Sequence, residues 1–340
     1  VTTGYSNTLI GTGAGEEGSG SAFFENVYLG SAAGGYQRGG KRNVGIGRAA
    51  GMGVSNGDNQ GDLNVAVGYY ALANVSSGDS NVAAGVTAGQ FITTGTRNVY
   101  LGAYAGLATT TGGYNVAIGN EAYKAGTSST IVAIGSEAAK TTTVNDGVWI
   151  GPSANKLGTG GGGGTIVGHF AGYYAHGTGM VHVGQNAGRY MSGSYNVFVG
   201  HDSGLGSATS APYGTGINNA AVGVDSLRNI TSGDNNVAVG NIAGGAITTA
   251  DANVAVGANA LDAASTVSNN VAVGYKAGGA HTTGENNVWV GKEAGESGTY
   301  HASCVGVGQG ALGRLSGSFN TAIGNEALSG NQGGGATNSN

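Results

Sequence analysis

Charge, proline and cysteine are scarce in this chain of 340 residues, of which 9% are charged, two are proline and one is cysteine. The single cysteine, Cys304, excludes an internal disulfide, so packing and hydrogen bonds must stabilise the fold. The 13 basic and 18 acidic residues form no run of like charge, and we expect no nucleic-acid partner. No apolar run approaches the roughly 18 residues of a membrane span, so we expect no membrane insertion.

Glycine is abundant, with 72 residues in the chain. Collagen would need glycine at every third position and much more proline, and a disordered chain would lack the recurring Val and Ile seen here. The chain begins at Val1 with neither an initiator methionine nor a basic–apolar leader. We therefore expect a processed form or a piece of a longer polypeptide.

A five-residue signature of the form Asn-Val-Ala-Val-Gly recurs along the chain. Its 19 copies end at Gly11, Gly30, Gly47, Gly68, Gly85, Gly102, Gly119, Gly135, Gly151, Gly168, Gly184, Gly200, Gly223, Gly240, Gly257, Gly274, Gly291, Gly308 and Gly324. Ten of the 18 intervals are 17 residues, five are 16, and the three longer ones are 19, 21 and 23. Positions in each repeat are counted below from this signature glycine, which is position 0.

The Val-Ala-Val alternation has the period of two that is typical of a β-strand. Position −1 is Val or Ile in 16 copies, position −3 is Val in 15, and position −2 is Ala in nine and aromatic in five. Val and Ile should therefore lie on one face and Ala on the other. The signature glycine permits a tight corner, and the x-x-Ala-Gly or x-x-Ala-Leu segment after it predicts a second short strand with its Ala or Leu inside.

A unit of 16 or 17 residues cannot bury its own apolar face, so successive coils must stack by parallel, in-register pairing. The sequence predicts an all-β protein, one elongated parallel β-solenoid of about 19 coils at residues 1–330, with a Gly/Asn-rich tail or linker at 331–340. At about 4.8 Å per coil it would be a rod of roughly 90 Å. Position −4 is Asn in 14 copies, which predicts a ladder of Asn side chains, with Cys304 as a structural substitution in one coil.

The core of one such rod is thin, so we expect neighbouring chains to complete it. The Ala face is flat and small, and it is the expected seam between subunits. Trp149, His182 and Trp289 occupy that face but are too large for a close seam. The prediction is that these three side chains are exposed.

The segment Thr-Ser-Gly-Asp-Asn-Asn-Val-Ala-Val-Gly at 231–240 resembles the head repeats of trimeric autotransporter adhesins, which carry an S/T-x-G-x-N-S-V-A-I-G pattern. It is equally similar to the N-T-A-I-G-x-x-A-G repeats of bacteriophage tail-fibre and virion-appendage proteins. The resemblance extends from Asn7 to about Leu328. It implies a left-handed parallel β-roll, three chains side by side in a homotrimer, and a role in attachment.

Two features separate the chain from the adhesin heads. Their repeats are typically shorter, and they usually pass into a neck and a coiled-coil stalk, whereas no heptad pattern is present here. We therefore expect a non-enzymatic structural and attachment protein outside the cell, as the shaft of a phage tail fibre or virion appendage with other fibre or virion proteins as partners. A bacterial trimeric surface adhesin head is the alternative.

The longest interval, between Gly200 and Gly223, must bulge outward from a solenoid coil, and recognition concentrates in loops. Tolerated loop variation is the other interpretation, as it is for smaller bulges near 15–25 and 53–62. Exposed tyrosines can stack on sugar rings, although ladders or packing between subunits would also explain them. The candidate contacts to a cell-surface glycan or protein receptor are Tyr69, Tyr70, Tyr173, Tyr174, Pro212 and Tyr213.

No catalytic, cofactor-binding or metal-ligating residue is predicted. The six His residues do not share a ligand spacing, and no calcium-binding nonapeptide occurs. Glu121 with Lys124, and Glu137 with Lys140, repeat the same offsets in adjacent coils and predict a solvated charge ladder. A minor enzymatic alternative is a left-handed β-helix acyltransferase, but those enzymes fill each coil with three hexads and only one is present here.

Overall fold

The computed structural model describes residues 4–16, 23–55, 60–158, 162–207, 213–297, 301–314 and 317–330. The chain divides into two compact units, Val1–Gly164 and Thr165–Asn340. Every strand in the described residues is three residues long, and each one ends immediately before a signature glycine. The 19 strands therefore correspond one to one with the 19 copies of the signature.

The strands divide almost equally between the two units. Unit 1 contains β1 Thr8–Ile10, β2 Val27–Leu29, β3 Val44–Ile46, β4 Val65–Val67, β5 Val82–Ala84, β6 Val99–Leu101, β7 Val116–Ile118, β8 Val132–Ile134 and β9 Val148–Ile150. Unit 2 contains β10 Thr165–Val167, β11 Val181–Val183, β12 Val197–Val199, β13 Ala220–Val222, β14 Val237–Val239, β15 Val254–Val256, β16 Val271–Val273, β17 Val288–Val290, β18 Val305–Val307 and β19 Thr321–Ile323.

Within each unit, every strand pairs in parallel with the next strand in the chain. Equivalent residues face each other, so that Ala238 of β14 lies opposite Ala255 of β15. The register survives the 23-residue interval as well, because Val199 still pairs with Val222. The predicted all-β parallel β-solenoid is confirmed.

The segment after each signature glycine is a turn, so the predicted second strand is wrong. The residue at position +2 is left-handed, as at Tyr70 with φ of 54°, and position +4 is left-handed as well, as at Leu72 with φ of 48°. These conformations direct the N–H groups of positions +2 and +4 toward opposite neighbouring coils. Tyr70 N donates to Arg48 O of the preceding coil at 3.0 Å, and Leu72 N donates to Ala88 O of the following coil at 3.0 Å. Both bonds form without an extended strand.

In all coils but the first and last, the residue at position +3 lies inside the coil, and so does Leu where it occupies position +4, as predicted; Leu328 of the last coil is 43% exposed. Ala71 and Leu72 are both fully buried. Signature glycines have φ between 125° and 142°. At Gly68, for example, the carbonyl of the next signature glycine, Gly85, lies where a Cβ would project. Glycine is therefore required at this corner both by conformation and by the close approach of the next coil.

The two faces of the strands are the reverse of what the sequence predicted. The side chain at position −2 points into the coil, and Trp149, His182 and Trp289 are at most 1% exposed. Val and Ile at positions −3 and −1 are half-buried or exposed, as at Val239, which is 41% exposed. The Ala face is therefore the core of the single chain and not a seam between subunits.

Large side chains fit in this narrow core because positions −2 and +4 share one space. Tyr28 at position −2 lies against Gly34, where an added Cβ would overlap the phenol ring. Ala66 at position −2 is combined with a buried Leu72 at position +4. The coil interior thus holds one large side chain from either position, which accommodates Trp289 beside Gly295, whereas Trp149 lies against Gly147.

A ladder of Asn side chains, most of them buried, lines the turn before 14 of the 19 strands, as predicted. Asn253 Nδ2 donates to Val267 O at 2.9 Å, and Asn253 Oδ1 accepts from Asn270 N at 3.0 Å. Cys304 takes the Asn position in its own coil, and its Sγ donates to Gly317 O at 3.1 Å. The thiol therefore replaces the donor of the ladder, which agrees with a structural substitution.

Candidate binding surface

The candidate contacts Tyr69 and Tyr70 lie side by side after β4 in unit 1. Their ring centroids are 4.6 Å apart with the planes tilted by 58°. The guanidinium carbon of Arg48 is 5.8 Å from the Tyr69 ring centroid, and Tyr69 is 46% exposed. This part of the surface therefore offers one exposed ring, that of Tyr69, and one cation, Arg48.

Three other candidate contacts come together in unit 2. Tyr173 and Tyr174 have ring centroids 4.7 Å apart in an edge-on arrangement. Tyr213 stacks on Tyr174 with the centroids 4.2 Å apart and the planes 22° from parallel. Pro212 lies outside the described residues.

Residues that the sequence did not single out as contacts complete this group. The Tyr190 ring is 5.7 Å from Tyr174 and nearly parallel to it, and the Phe170 ring is 5.4 Å from Tyr173. All of these side chains are half-buried. The aromatic–arginine cluster is defined as Phe170, Tyr173, Tyr174, Arg189, Tyr190 and Tyr213.

The stacking of coils positions the cluster. Tyr174 and Tyr190 occupy the same place, position +6, in adjacent coils, and Tyr174 N donates to Arg189 O at 3.1 Å. Gly214 N donates to Tyr190 O at 2.8 Å, which holds Tyr213 beside the pair from the coil with the longest insertion. Gly172 precedes Tyr173 in a left-handed conformation and leaves room for the buried Ile166.

Arg189 lies among the rings of the cluster. Its guanidinium carbon is 4.5 Å from the Phe170 ring centroid and 5.1 Å from that of Tyr190, both within the range of a cation–π interaction. Its Nη1 donates to Asn186 Oδ1 at 3.2 Å, and its buried Nε has no hydrogen-bond partner in the described residues. The site therefore combines a cation of unused donor capacity with stacked aromatic surface.

A signal for the missed residues was present in the sequence. Arg189 and Tyr190 follow Tyr173 and Tyr174 by 16 residues, which is one coil. Side chains at equal offsets in adjacent coils are neighbours in a solenoid, so aligning the repeats by offset would have brought both residues into the candidate group.

The predicted charge ladder forms, and it extends by one more residue. Lys124 Nζ is 2.7 Å from Glu121 Oε1, Lys140 Nζ is 2.9 Å from Glu137 Oε1 and also pairs with Glu121, and Lys156 Nζ is 2.6 Å from Glu137 Oε2. Hydrogen bonds from Lys124 and then Lys140 lower the pKa of Glu121 to about 2. Each lysine of the ladder thus has a carboxylate partner.

A separate open cleft of about 430 Å³ lies in unit 1. It is lined by Val54, Asn74, Phe91, Thr93, Ala108 and Thr110. Across the described residues, no group of three or more His, Cys, Asp or Glu side chains is placed to hold a metal ion. The same part of the chain contains no helix long and apolar enough to cross a bilayer.

Comparison with known proteins does not identify a family for this chain. No protein-family model matches the chain, and a search of curated proteins gives no match. The candidate function therefore depends on the repeat, the fold and the exposed surfaces of the chain.

Proposed function

We propose that the chain is a non-enzymatic structural protein of an extracellular fibre, that it assembles as a homotrimer, and that the aromatic–arginine cluster contributes to attachment. The observation that supports assembly is the outer face of the strands. The resemblance of the repeat to tail-fibre and virion-appendage proteins supports the shaft of a viral appendage as the particular role.

The outer face of each unit carries two columns of aliphatic side chains, at positions −3 and −1 of every strand. We name these columns the aliphatic stripe. No charged residue occurs at either position in the 19 strands. Exposures are 41% at Ile46 and 42% at Val222, and they are higher in the first and last strands, with 60% at Ile10 and 74% at Ile323. Each half-exposed Val or Ile leaves about 40 Å² of apolar surface in contact with water, so one unit exposes on the order of 700 Å² in this stripe.

An exposed apolar area of this size is more than a soluble monomer usually carries, because the largest patch on a typical monomer is about 300–600 Å². The stripe is regular and only two side chains wide. A surface that repeats at every strand is complementary to another copy of itself, in which the same residues recur at the same spacing. We therefore assign the stripe to the contact between chains, in place of the Ala face.

The assembly is tested by the mass of the intact chain in solution. Sedimentation of the 32.9 kDa chain is expected to give about three times that mass. Val239→Lys places a charge in the stripe and should shift the protein toward monomer. The control is Ile217→Lys, because Ile217 lies outside the strands and is 38% exposed against 41% for Val239.

Two outcomes would overturn the assembly. A monomeric mass for the unaltered chain would contradict it directly, and so would an equal effect of Val239→Lys and Ile217→Lys on a folded protein. Circular dichroism of both variants confirms that the β-structure is retained before masses are compared.

The fibre role is tested separately, by immunogold labelling of the source culture with antibodies against the recombinant chain. Labelled appendages on virus particles are expected. Labelling of bacterial cell surfaces without particles would contradict the viral assignment and favour the surface adhesin head.

A further inference from the structure

We infer that the aromatic–arginine cluster binds a sugar that carries a carboxylate, as in an acidic cell-surface glycan. The inference rests on the proposed attachment role and specifies the class of ligand. Arg189 supplies the cation, and the half-buried tyrosine rings supply the surface for the sugar.

Arg189 differs from the other cations at its position in the repeat. Lys124, Lys140, Lys156 and Arg228 also occupy position +5, and each pairs with a carboxylate of the chain. Arg228 Nη1, for example, is 3.1 Å from Asp225 Oδ1. Arg189 pairs with no carboxylate among the described residues, so its charge is free for an external anion.

Arg189 has no carboxylate partner because of the residues at position +2. In the other coils this position supplies the carboxylates that pair with the cations, namely Glu121, Glu137 and Asp225. That position is Asn186 in the coil of Arg189 and Phe170 in the preceding coil. The next carboxylate, Asp202, accepts a hydrogen bond from Asn186 Nδ2 at 2.9 Å and lies 3.5 Å from Arg228 Nη2. The neighbours of Arg189 are thus an amide and aromatic rings, and the acid one coil away is engaged elsewhere.

The chemistry of both parts suits a carboxylated sugar. A guanidinium presents five N–H donors in a planar fork that matches a carboxylate, and Arg189 makes only one side-chain hydrogen bond among the described residues. The flat C–H face of a pyranose stacks on an aromatic ring, and a tyrosine hydroxyl can hydrogen-bond to sugar hydroxyls. Tyr174, Tyr190 and Tyr213 are nearly parallel, with interplanar angles of 22° to 27° and ring centroids 4.2 to 6.3 Å apart, and so form one aromatic stack beside the cation.

Binding of the full chain to paired oligosaccharides tests the inference. The probes are oligosaccharides that end in glucuronic, galacturonic or sialic acid, each beside its carboxyl-reduced counterpart, in calorimetry at neutral pH. At least one acidic probe is expected to bind, and its reduced counterpart at least tenfold more weakly. Arg189→Met keeps the apolar stem but removes the fork, and it should weaken binding of the acid by at least tenfold.

Arg228→Met is the matched control, because it removes a cation at position +5 that already has carboxylate partners, and it should leave binding unchanged. Tyr174→Ala should weaken both members of a probe pair together, since it removes stacking and not charge recognition. Equal binding of acid and reduced sugar, or equal effects of Arg189→Met and Arg228→Met, would overturn the inference while leaving attachment intact. Absence of binding to every acidic probe would overturn it too, and only a parallel failure of the intact assembly to adhere to host cells would overturn the attachment role.

Discussion

The Asn ladder offers a direct test of what holds neighbouring coils together, through the substitution Asn253→Ala in the middle of unit 2. Asn253 is fully buried, and its side chain makes three hydrogen bonds, one of them from Nδ2 to Asn236 Oδ1 at 3.2 Å. Its Nδ2 donates to Val267 O at 2.9 Å, and its Oδ1 accepts from Asn270 N at 3.0 Å. The substitution removes the amide without adding a steric conflict.

The magnitude follows from the groups left behind. Alanine leaves the carbonyl of Val267 and the N–H of Asn270 without these partners in a buried turn. Each orphaned group costs about 1–3 kcal/mol, so the free energy of unfolding should fall by about 2–6 kcal/mol. Against a total of about 5–15 kcal/mol for a typical domain, the loss is large. Because repeat proteins are stabilised by contacts between neighbours, it should be concentrated at this coil boundary.

Two measurements check this prediction. Denaturation by urea gives the change in unfolding free energy, and hydrogen exchange detected by mass spectrometry should show lost protection at the Asn270 amide. The control is Asn241→Ala, because Asn241 is exposed and its Nδ2 makes one 3.3 Å bond to Val224 O. That change should lie within about 0.5 kcal/mol. Equal effects of the two substitutions would refute the reasoning.

The remaining predictions concern the core. Burial lowers the pKa of His182 from 6.5 to about 3, so between these values the unfolded chain binds a proton that the folded chain does not. The contribution of His182 to stability is therefore complete above pH 6.5 and falls by about 1.4 kcal/mol per pH unit as the solution is acidified toward pH 3. His182→Phe, which introduces the residue type that Phe198 supplies one coil later, should flatten the loss of stability measured by urea denaturation from pH 7 to pH 4, and an unchanged slope would contradict the assignment. Gly295→Ala should destabilise the fold by about 1–3 kcal/mol more than Gly310→Ala in thermal unfolding. Both glycines have φ of 64°, but only the methyl group added at Gly295 would overlap the Trp289 ring. Equal losses would show that backbone strain alone accounts for the effect.

The fold class could be predicted because each repeat combines an alternating strand pattern with a glycine-containing turn, and because the length of the repeat is nearly constant. An interval of 16 or 17 residues places Ala238 opposite Ala255 whatever the turns do, so the parallel register follows from spacing. The turn after each signature glycine could not be predicted in the same way. Its left-handed residues include Ile242 and Thr87, β-branched types that rarely adopt this conformation, and hydrogen bonds to both neighbouring coils impose it on them.

The candidate binding surface was predicted in part. Tyr173 and Tyr174 were found as adjacent aromatics and Tyr213 through its insertion, and the structure brings the three together. Arg189 and Tyr190 were missed because single residues in a sequence give no sign of which offsets become neighbours until coils are aligned. The lack of a carboxylate partner for Arg189 was also not predicted, because it depends on two residues at position +2, Asn186 in the same coil and Phe170 in the preceding coil.

The orientation of the strands was the main error, because an alternation of Val and Ala marks two faces without saying which one is inside. The missing information lies in how side-chain volumes vary. Of the eight coils with a side chain larger than Ala at position −2, seven have Gly at position +4, and the exception, Trp149, follows Gly147 instead. Exposed side chains would not need a small residue at position +4 whenever position −2 is large. Positions −2 and +4 must therefore share an enclosed space. The side chains at positions −3 and −1 are nearly constant in size along the chain. A regular contact between identical chains requires such constancy, whereas the core of a single chain can be filled by side chains of varying size.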